Sequence, residues 1–275
     1  MGWTPMIENI LSAYQNHLVQ KHGNQTLKRF NHLLENNQEA GVSEALVFNW
    51  LCGIGQNPEL NENNSTGGAD FICHPWESYR YIVEVTCLGK PALTKETGCH
   101  MISGQLMAIS SPTKMLRQRV TDKAGQLAGN DIPTVLAITS LHDGAYILLS
   151  PNEAVSFLIS DWAFAIPMSN SNEDTYLSTD LKHSIFFKRD LNDPSKVAPC
   201  RQSISAVLLI PVSGDRLNVT GILHPEPIHP FSIHALKKVP FVRVQNWPIA
   251  EGIIFTEWVI SDPYASVFHH FTHIK

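Results

Sequence analysis

The chain has 275 residues, of which 43% are apolar and 16% charged. That apolar share supports a buried core and excludes disorder as the global state. Twenty Lys and Arg against 25 Asp and Glu give a net charge of −5. A general attraction to nucleic acid is thereby excluded, and any such contact needs a local basic patch or carboxylates screened by a metal ion.

No apolar run approaches the roughly 18 residues that cross a membrane. The start, MGWTPMIENILSAY, lacks the basic-then-apolar order of a secretory signal, and Met6 stands where a myristoylation signal needs Ser or Thr. Five cysteines (Cys52, Cys73, Cys87, Cys99 and Cys200) are an odd number spread over a long chain. They argue against a disulfide framework and for a reducing, cytoplasmic setting.

Residues 4 to 37 read as helical: Ile7, Ile10, Leu11 and Tyr14 recur at helical spacing, and Leu27, Phe30, Leu33 and Leu34 repeat it, with Asn24 as a cap. A third helix is expected from Ser43, as N-cap, to the Gly53-Ile54-Gly55 break. Residues 57 to 68 are polar and rich in Gly, Pro and Asn, hence a loop. Two strands follow, 69 to 73 and 79 to 88, joined closely enough for an antiparallel hairpin. Residues 89 to 111 lack periodicity. A helix is then expected from Ser111 (cap) and Pro112 (first turn) to Gly129. Residues 132 to 141 have the pattern of a strand buried on both faces. A short strand at 145 to 149, a short helix at 152 to 159 and a mobile loop at 167 to 180 come next. Strands at 203 to 212 and 217 to 223 flank a turn, and the tail from His224, rich in Pro and His, resists assignment. The order predicts an α/β fold with a mixed central sheet flanked by helices. Residues 1–40 form a helical elaboration and 41–150 a core; 151–275 are either the same domain continued or an accessory region with further strands.

Two acids stand out. Alternation along the second strand puts Ile82, Glu84 and Thr86 on one face and Tyr81, Val83 and Val85 on the other. If the hairpin twists open, Asp70 and Glu84 converge at one edge. Two close carboxylates repel, and a divalent cation relieves the repulsion; oxygen ligands select a hard ion such as Mg²⁺ or Mn²⁺. A bland reading stands beside this one: Asp70 as a turn residue after Gly67-Gly68, and Glu84 paired with Arg80 or Lys90. On the helix from Pro112, with Leu116 at about 0°, Val120 falls near 40°, Leu127 near 20° and Lys123 near −20°. Lys123 thus lies within the apolar stripe, either directed at acceptors such as the two acids or snorkelling to solvent. Arg119 and Gln126 fall on one flank of that stripe.

Gly68-Ala69-Asp70-Phe71-Ile72 with Ile82-Val83-Glu84-Val85-Thr86 resembles the active-site hairpin of the PD-(D/E)xK nuclease superfamily, over roughly residues 40 to 141. The resemblance implies a restriction-endonuclease-like core and maps the family's acids onto Asp70 and Glu84. Its lysine falls on Thr86, a departure, and Lys123 with Gln126 fits a variant whose lysine has moved to the next helix. Glu44 is the candidate acid from the preceding helix, although Glu near a helix start is also favoured by the dipole. The implied activity is Mg²⁺- or Mn²⁺-dependent cleavage of DNA, an endonuclease-like reaction in defence against foreign DNA. Asp70, Glu84, the Val85 carbonyl and Glu44 would hold the metal. Lys123, with Thr86 and Gln126 beside it, would serve the attacking water and the transition state. Lys114, Arg117 and Arg119 would touch the phosphate backbone, and two cuts in a duplex would call for a homodimer. The alternative is an inactive module of this fold that binds nucleic acid or a protein. A zinc site drawing on Cys73, His74, Cys87, Cys99 and His100 lacks CxxC spacing; His224, His229 and His234, and His269, His270 and His273, form no HExxH.

Overall fold

The computed structural model describes residues 4–61, 69–102, 105–107, 110–160, 163–165, 176–179, 181–189, 196–213, 216–249, 253–261 and 269–274. Three helices open the chain: α1 (Pro5–His22), α2 (Asn24–Asn36) and α3 (Gln38–Gly53). Thr4 caps α1, its hydroxyl accepting the Ile7 N–H at 3.5 Å, and Pro5 occupies the first turn, where its missing N–H costs nothing. Gly23, at φ +81°, ends α1 and leads into α2, a backbone angle that favours glycine. Asn24 is therefore the first helical residue, not the cap. Nor does Ser43 cap α3. The helix starts at Gln38, with the Asn37 side chain accepting from Ala40 N–H at 3.2 Å. Ser43 is buried within it and accepts from the Thr139 hydroxyl at 2.7 Å.

The next stretch holds β1 (Pro58–Leu60), β2 (Phe71–Trp76), β3 (Tyr79–Cys87), α4 (Lys90–Thr97), β4 (His100–Ile102), β5 (Gln105–Met107), α5 (Thr113–Gln126) and β6 (Thr134–Ser140). The aperiodic residues 89 to 111 thus contain a helix and a small hairpin of β4 with β5. Helix α4 lacks a side-chain cap of its own; Glu39, 51 residues earlier, accepts its Lys90 N–H at 2.9 Å. Helix α5 begins one residue later than its Pro suggests, because the Ser111 hydroxyl is engaged with Thr113 and Glu153.

Beyond β6 come α6 (Ala145–Leu148), α7 (Pro151–Ile159), β7 (Ala163–Ala165), β8 (Tyr176–Thr179), β9 (Phe187–Arg189), β10 (Val197–Pro199), β11 (Ala206–Ser213), β12 (Arg216–Leu217), β13 (Thr220–Leu223), the 3₁₀ turn η1 (Ile233–Leu236), β14 (Phe241–Val244), β15 (Ile253–Val259) and β16 (His269–Ile274). The strand expected at 145 to 149 is the helical turn α6: Ile147 and Leu148 N–H both bond the Gly144 carbonyl. A short apolar run carries no period long enough to distinguish the two. Of the loop expected at 167 to 180, residues 176–179 form β8 and the others lie outside the described residues.

The fold is α/β. A 12-stranded mixed sheet runs β1-β2-β3-β6-β11-β13-β14-β15-β16-β8-β7, with β12 paired to β11. Its centre, β3-β6-β11, is parallel, so helices must cover both faces. All seven residues of β6 are buried. Leu136 and Ile138 pack with Leu116, Val120 and Ala124 of α5 and Phe157 of α7. Val135 and Ala137 pack with Tyr14, Phe48 and Leu51 on the α1–α3 side. In β13, Gly221 lies flat against Phe241, whose ring occupies the space a Cβ would need. None of the described helices is long and apolar enough to cross a membrane.

Candidate active site at the β2–β3 edge

Strand pairing sets the position of the two acids. The β2–β3 ladder ends with Phe71 opposite Val83, so one further step brings Asp70 alongside Glu84. There the ladder is continued by a side chain: Asp70 Oδ2 accepts the Val85 N–H at 2.6 Å. The even residues of β3 turn their backbones to β6, as the Ile82 N–H bonds Pro133 O and the Leu88 N–H bonds Thr139 O. Val85 therefore turns both N–H and carbonyl toward the Asp70 edge.

Glu84 points to the α5 side. Its side chain is only 4% exposed and forms an ion pair with Lys123 through Oε1; the Asp70 backbone also steadies the carboxylate, while among the described residues Oε2 has no partner within hydrogen-bond geometry. Lys123 reaches inward because Leu116, Val120 and Ala124 fix that stripe of α5 against the sheet. Its ammonium also donates to Gln126 Oε1 at 3.0 Å. Glu84's partner is thus Lys123 rather than Arg80 or Lys90; the Lys90 ammonium instead lies 4.0 Å from Asp143. Thr86, one alternation further on, is buried on the same face of β3.

Glu44 arrives from the opposite side of the sheet. It lies inside α3, not at its start, so the helix-dipole account of it falls. Its Oε1 accepts from Tyr14 OH at 2.7 Å, and Tyr14 is wholly buried among Phe30, Phe48 and Phe71. Sequence reasoning passed over Tyr14. The one signal for it was a phenol in an apolar stripe, whose buried hydroxyl must find a partner.

The electrostatics follow from this crowding. Burial, then the charges of Glu84 and Glu44, push the Asp70 carboxyl well above the usual carboxylate range; the Val85 N–H and Lys123 pull it back only in part. Burial also raises Glu84, against the opposing pull of Lys123. Such a cluster is short of positive charge and gains by taking up a proton or a cation.

The three other basic residues of α5, Lys114, Arg117 and Arg119, do not form one patch. Arg119 shares the Lys123 flank, within electrostatic reach of Cys87. Arg117 lies on the other flank near Cys200 and Arg201, where Arg201 Nε donates to the Thr121 hydroxyl at 2.7 Å. Lys114 is exposed. Among the described residues, no three His, Cys, Asp or Glu stand close enough to cage a metal ion, so the cysteine–histidine zinc arrangement is not formed there. No family model, curated protein or solved structure matches the chain.

Proposed function

We propose that the chain hydrolyses phosphodiester bonds of DNA with Mg²⁺ or Mn²⁺, as an endonuclease directed at foreign DNA on a PD-(D/E)xK, restriction-endonuclease-like core. The observation that carries this reading is the convergence of Asp70, Glu84 and Lys123 from three separate elements.

The donor set fits a hard divalent ion. It consists of oxygens, its acids repel one another, and one buried oxygen, Glu84 Oε2, has no hydrogen-bond partner among the described residues. Mg²⁺ is commonly held by one or two carboxylates, with water and phosphate oxygens completing the shell, so a three-sided protein cage is not required. Asp70 and Glu84 would hold the ion, with the Val85 carbonyl and Glu44 next to it. When bound, the ion would lower the pKa of a coordinated water and offset phosphate charge.

The chain's own residues supply the rest. Lys123 carries a positive charge to the position where a phosphate oxygen gains negative charge in the transition state. Gln126 steadies that ammonium, and Thr86 offers a hydroxyl on the same face. Tyr14 holds Glu44 in place through its hydrogen bond. Arg119 is the basic residue of α5 best placed to meet the backbone of bound DNA.

A second reading has its own support. Lys123 closes on Glu84, and Thr86 stands where a strand-borne lysine would serve. An inactive module that binds nucleic acid or a protein would tolerate both. Nicking of supercoiled plasmid in Mg²⁺ or Mn²⁺ separates the two. The wild type is expected to nick, and Asp70→Asn, Glu84→Gln and Lys123→Ala each to lose on the order of 100-fold or more. Retention of DNA binding without nicking by the wild type would favour the inactive module.

A further inference from the structure

A pocket of about 650 Å³ lies where the end of α3, the tip of the β2–β3 hairpin and the segment following η1 meet. That volume is within the range of small-molecule sites, about 300–1,000 Å³. Trp50 and Ile54 line it from α3, Trp76 from the hairpin, and His234, Lys237 and Lys238 from the third wall. Two large side chains there stay open: Ile54 and Trp76 are each 39% exposed. Trp76 stacks on Tyr79, with centroids 4.9 Å apart and planes at 21°, which stiffens its ring. The floor is held as well. Gln56 is buried, accepting from Tyr81 OH at 3.0 Å and donating to the Ile54 carbonyl at 3.2 Å. A wall already ordered binds at lower entropic cost.

The charge distribution is directional. Among the described residues, no Asp or Glu lines the pocket, in a chain whose net charge is −5. Two lysines stand on one wall. The end of α3 is a further part of the lining, and its Trp50, Leu51 and Cys52 carbonyls already accept from the Ile54, Gln56 and Gly55 N–H groups. A ligand matching this lining has a flat ring for the tryptophans and an anion for the lysines. The geometry points to a nucleoside phosphate, its base against Trp76 and Trp50 and its phosphate at Lys237 and Lys238. Stacking of a base on an aromatic side chain contributes about 1–3 kcal/mol.

This site does not depend on the hydrolytic reading. Asp70 lies the length of β2 away, about 20 Å at 3.3 Å per residue. Titration of the full chain with AMP in EDTA, followed by tryptophan fluorescence, tests it. Saturable quenching by AMP is expected, with adenosine and inorganic phosphate each at least about tenfold weaker. Lys237→Gln with Lys238→Gln should weaken AMP by about tenfold and leave adenosine unchanged, whereas Trp76→Leu should weaken both. Asp70→Asn should change nothing in this assay, whether or not the plasmid is nicked. The proposal is overturned if AMP fails to saturate at millimolar concentration, or if phosphate alone binds as well as AMP. Binding confined to a single-stranded oligonucleotide would overturn it too, marking the pocket as part of a nucleic-acid track.

Discussion

Two carboxylate–cation pairs each join neighbouring elements of this protein, and their surroundings differ. Arg243 of β14 faces Glu257 of β15 across the ladder, with Nε and Nη2 both 2.7 Å from Oε1. Its guanidinium side chain is 49% exposed. Lys123 and Glu84 are 24% and 4% exposed, and Glu84 retains a buried oxygen with no hydrogen-bond partner among the described residues. The first pair keeps its cationic end in water, although the Glu257 side chain is only 12% exposed, so less changes on forming it than in the second. The second lies deeper, between the sheet and α5, where the attraction is large but so is the cost of removing the charges from water. A buried pair is a weak sign of stability; it shows instead where charge is held against solvation, as chemistry on phosphate requires.

The largest expected effect follows directly. Lys123→Met strands the Glu84 carboxylate and should destabilise the fold by about 3–5 kcal/mol at pH 7. The loss should shrink toward pH 5, because burial already raises Glu84's proton affinity and a proton then replaces the ammonium. Adding Glu84→Gln should recover most of the loss. Urea unfolding at both pH values measures all three, and a loss below about 1 kcal/mol at pH 7 would place this pair in the same class as Arg243–Glu257.

His224 sharpens the comparison, being a buried base with no counter-ion bonded to it. It accepts the Glu226 N–H on Nδ1 at 3.0 Å, which leaves Nε2 to donate to the Cys200 carbonyl at 2.9 Å. Burial lowers its pKa to about 4. The unfolded chain takes up a proton near 6.5, so between those values the unfolded state binds more protons and stability falls with falling pH. The contribution is complete above pH 6.5, and about 3 kcal/mol should be lost by pH 4. His224→Gln should flatten that part of the stability–pH profile. The smallest effect belongs to Arg243→Ala: no more than about 1 kcal/mol, and less in molar salt.

The elements legible in sequence are those whose signal is local. The β-rich run 79 to 88 became β3, and the helical wheel placed Lys123 in the stripe that meets the sheet, where it finds Glu84. What was hidden depends on distant partners. Ser43 has the chemistry of a cap, yet its bond is to Thr139, 96 residues away. Helix α4 shows no cap in its own sequence because Glu39 supplies it. The role of Tyr14 depends on Glu44, 30 positions later. Of the tail strands, β14 is four residues long, too short for a period to show, and β15 mixes apolar runs with polar residues instead of alternating. The pocket beside Trp76 joins three remote segments, and periodicity carries no trace of it.

The central strand also bears on how the chain can be divided. On its far side β6 is completed by β11, and the Thr134 N–H bonds Ser205 Oγ, 71 residues on. A fragment ending near residue 150 would keep every residue assigned to the acidic site yet expose a seven-residue β edge that is wholly buried in the full chain. Such an edge recruits other chains. The isolated N-terminal half is therefore expected to aggregate, and a nascent chain must keep that edge shielded until β11 has been synthesised.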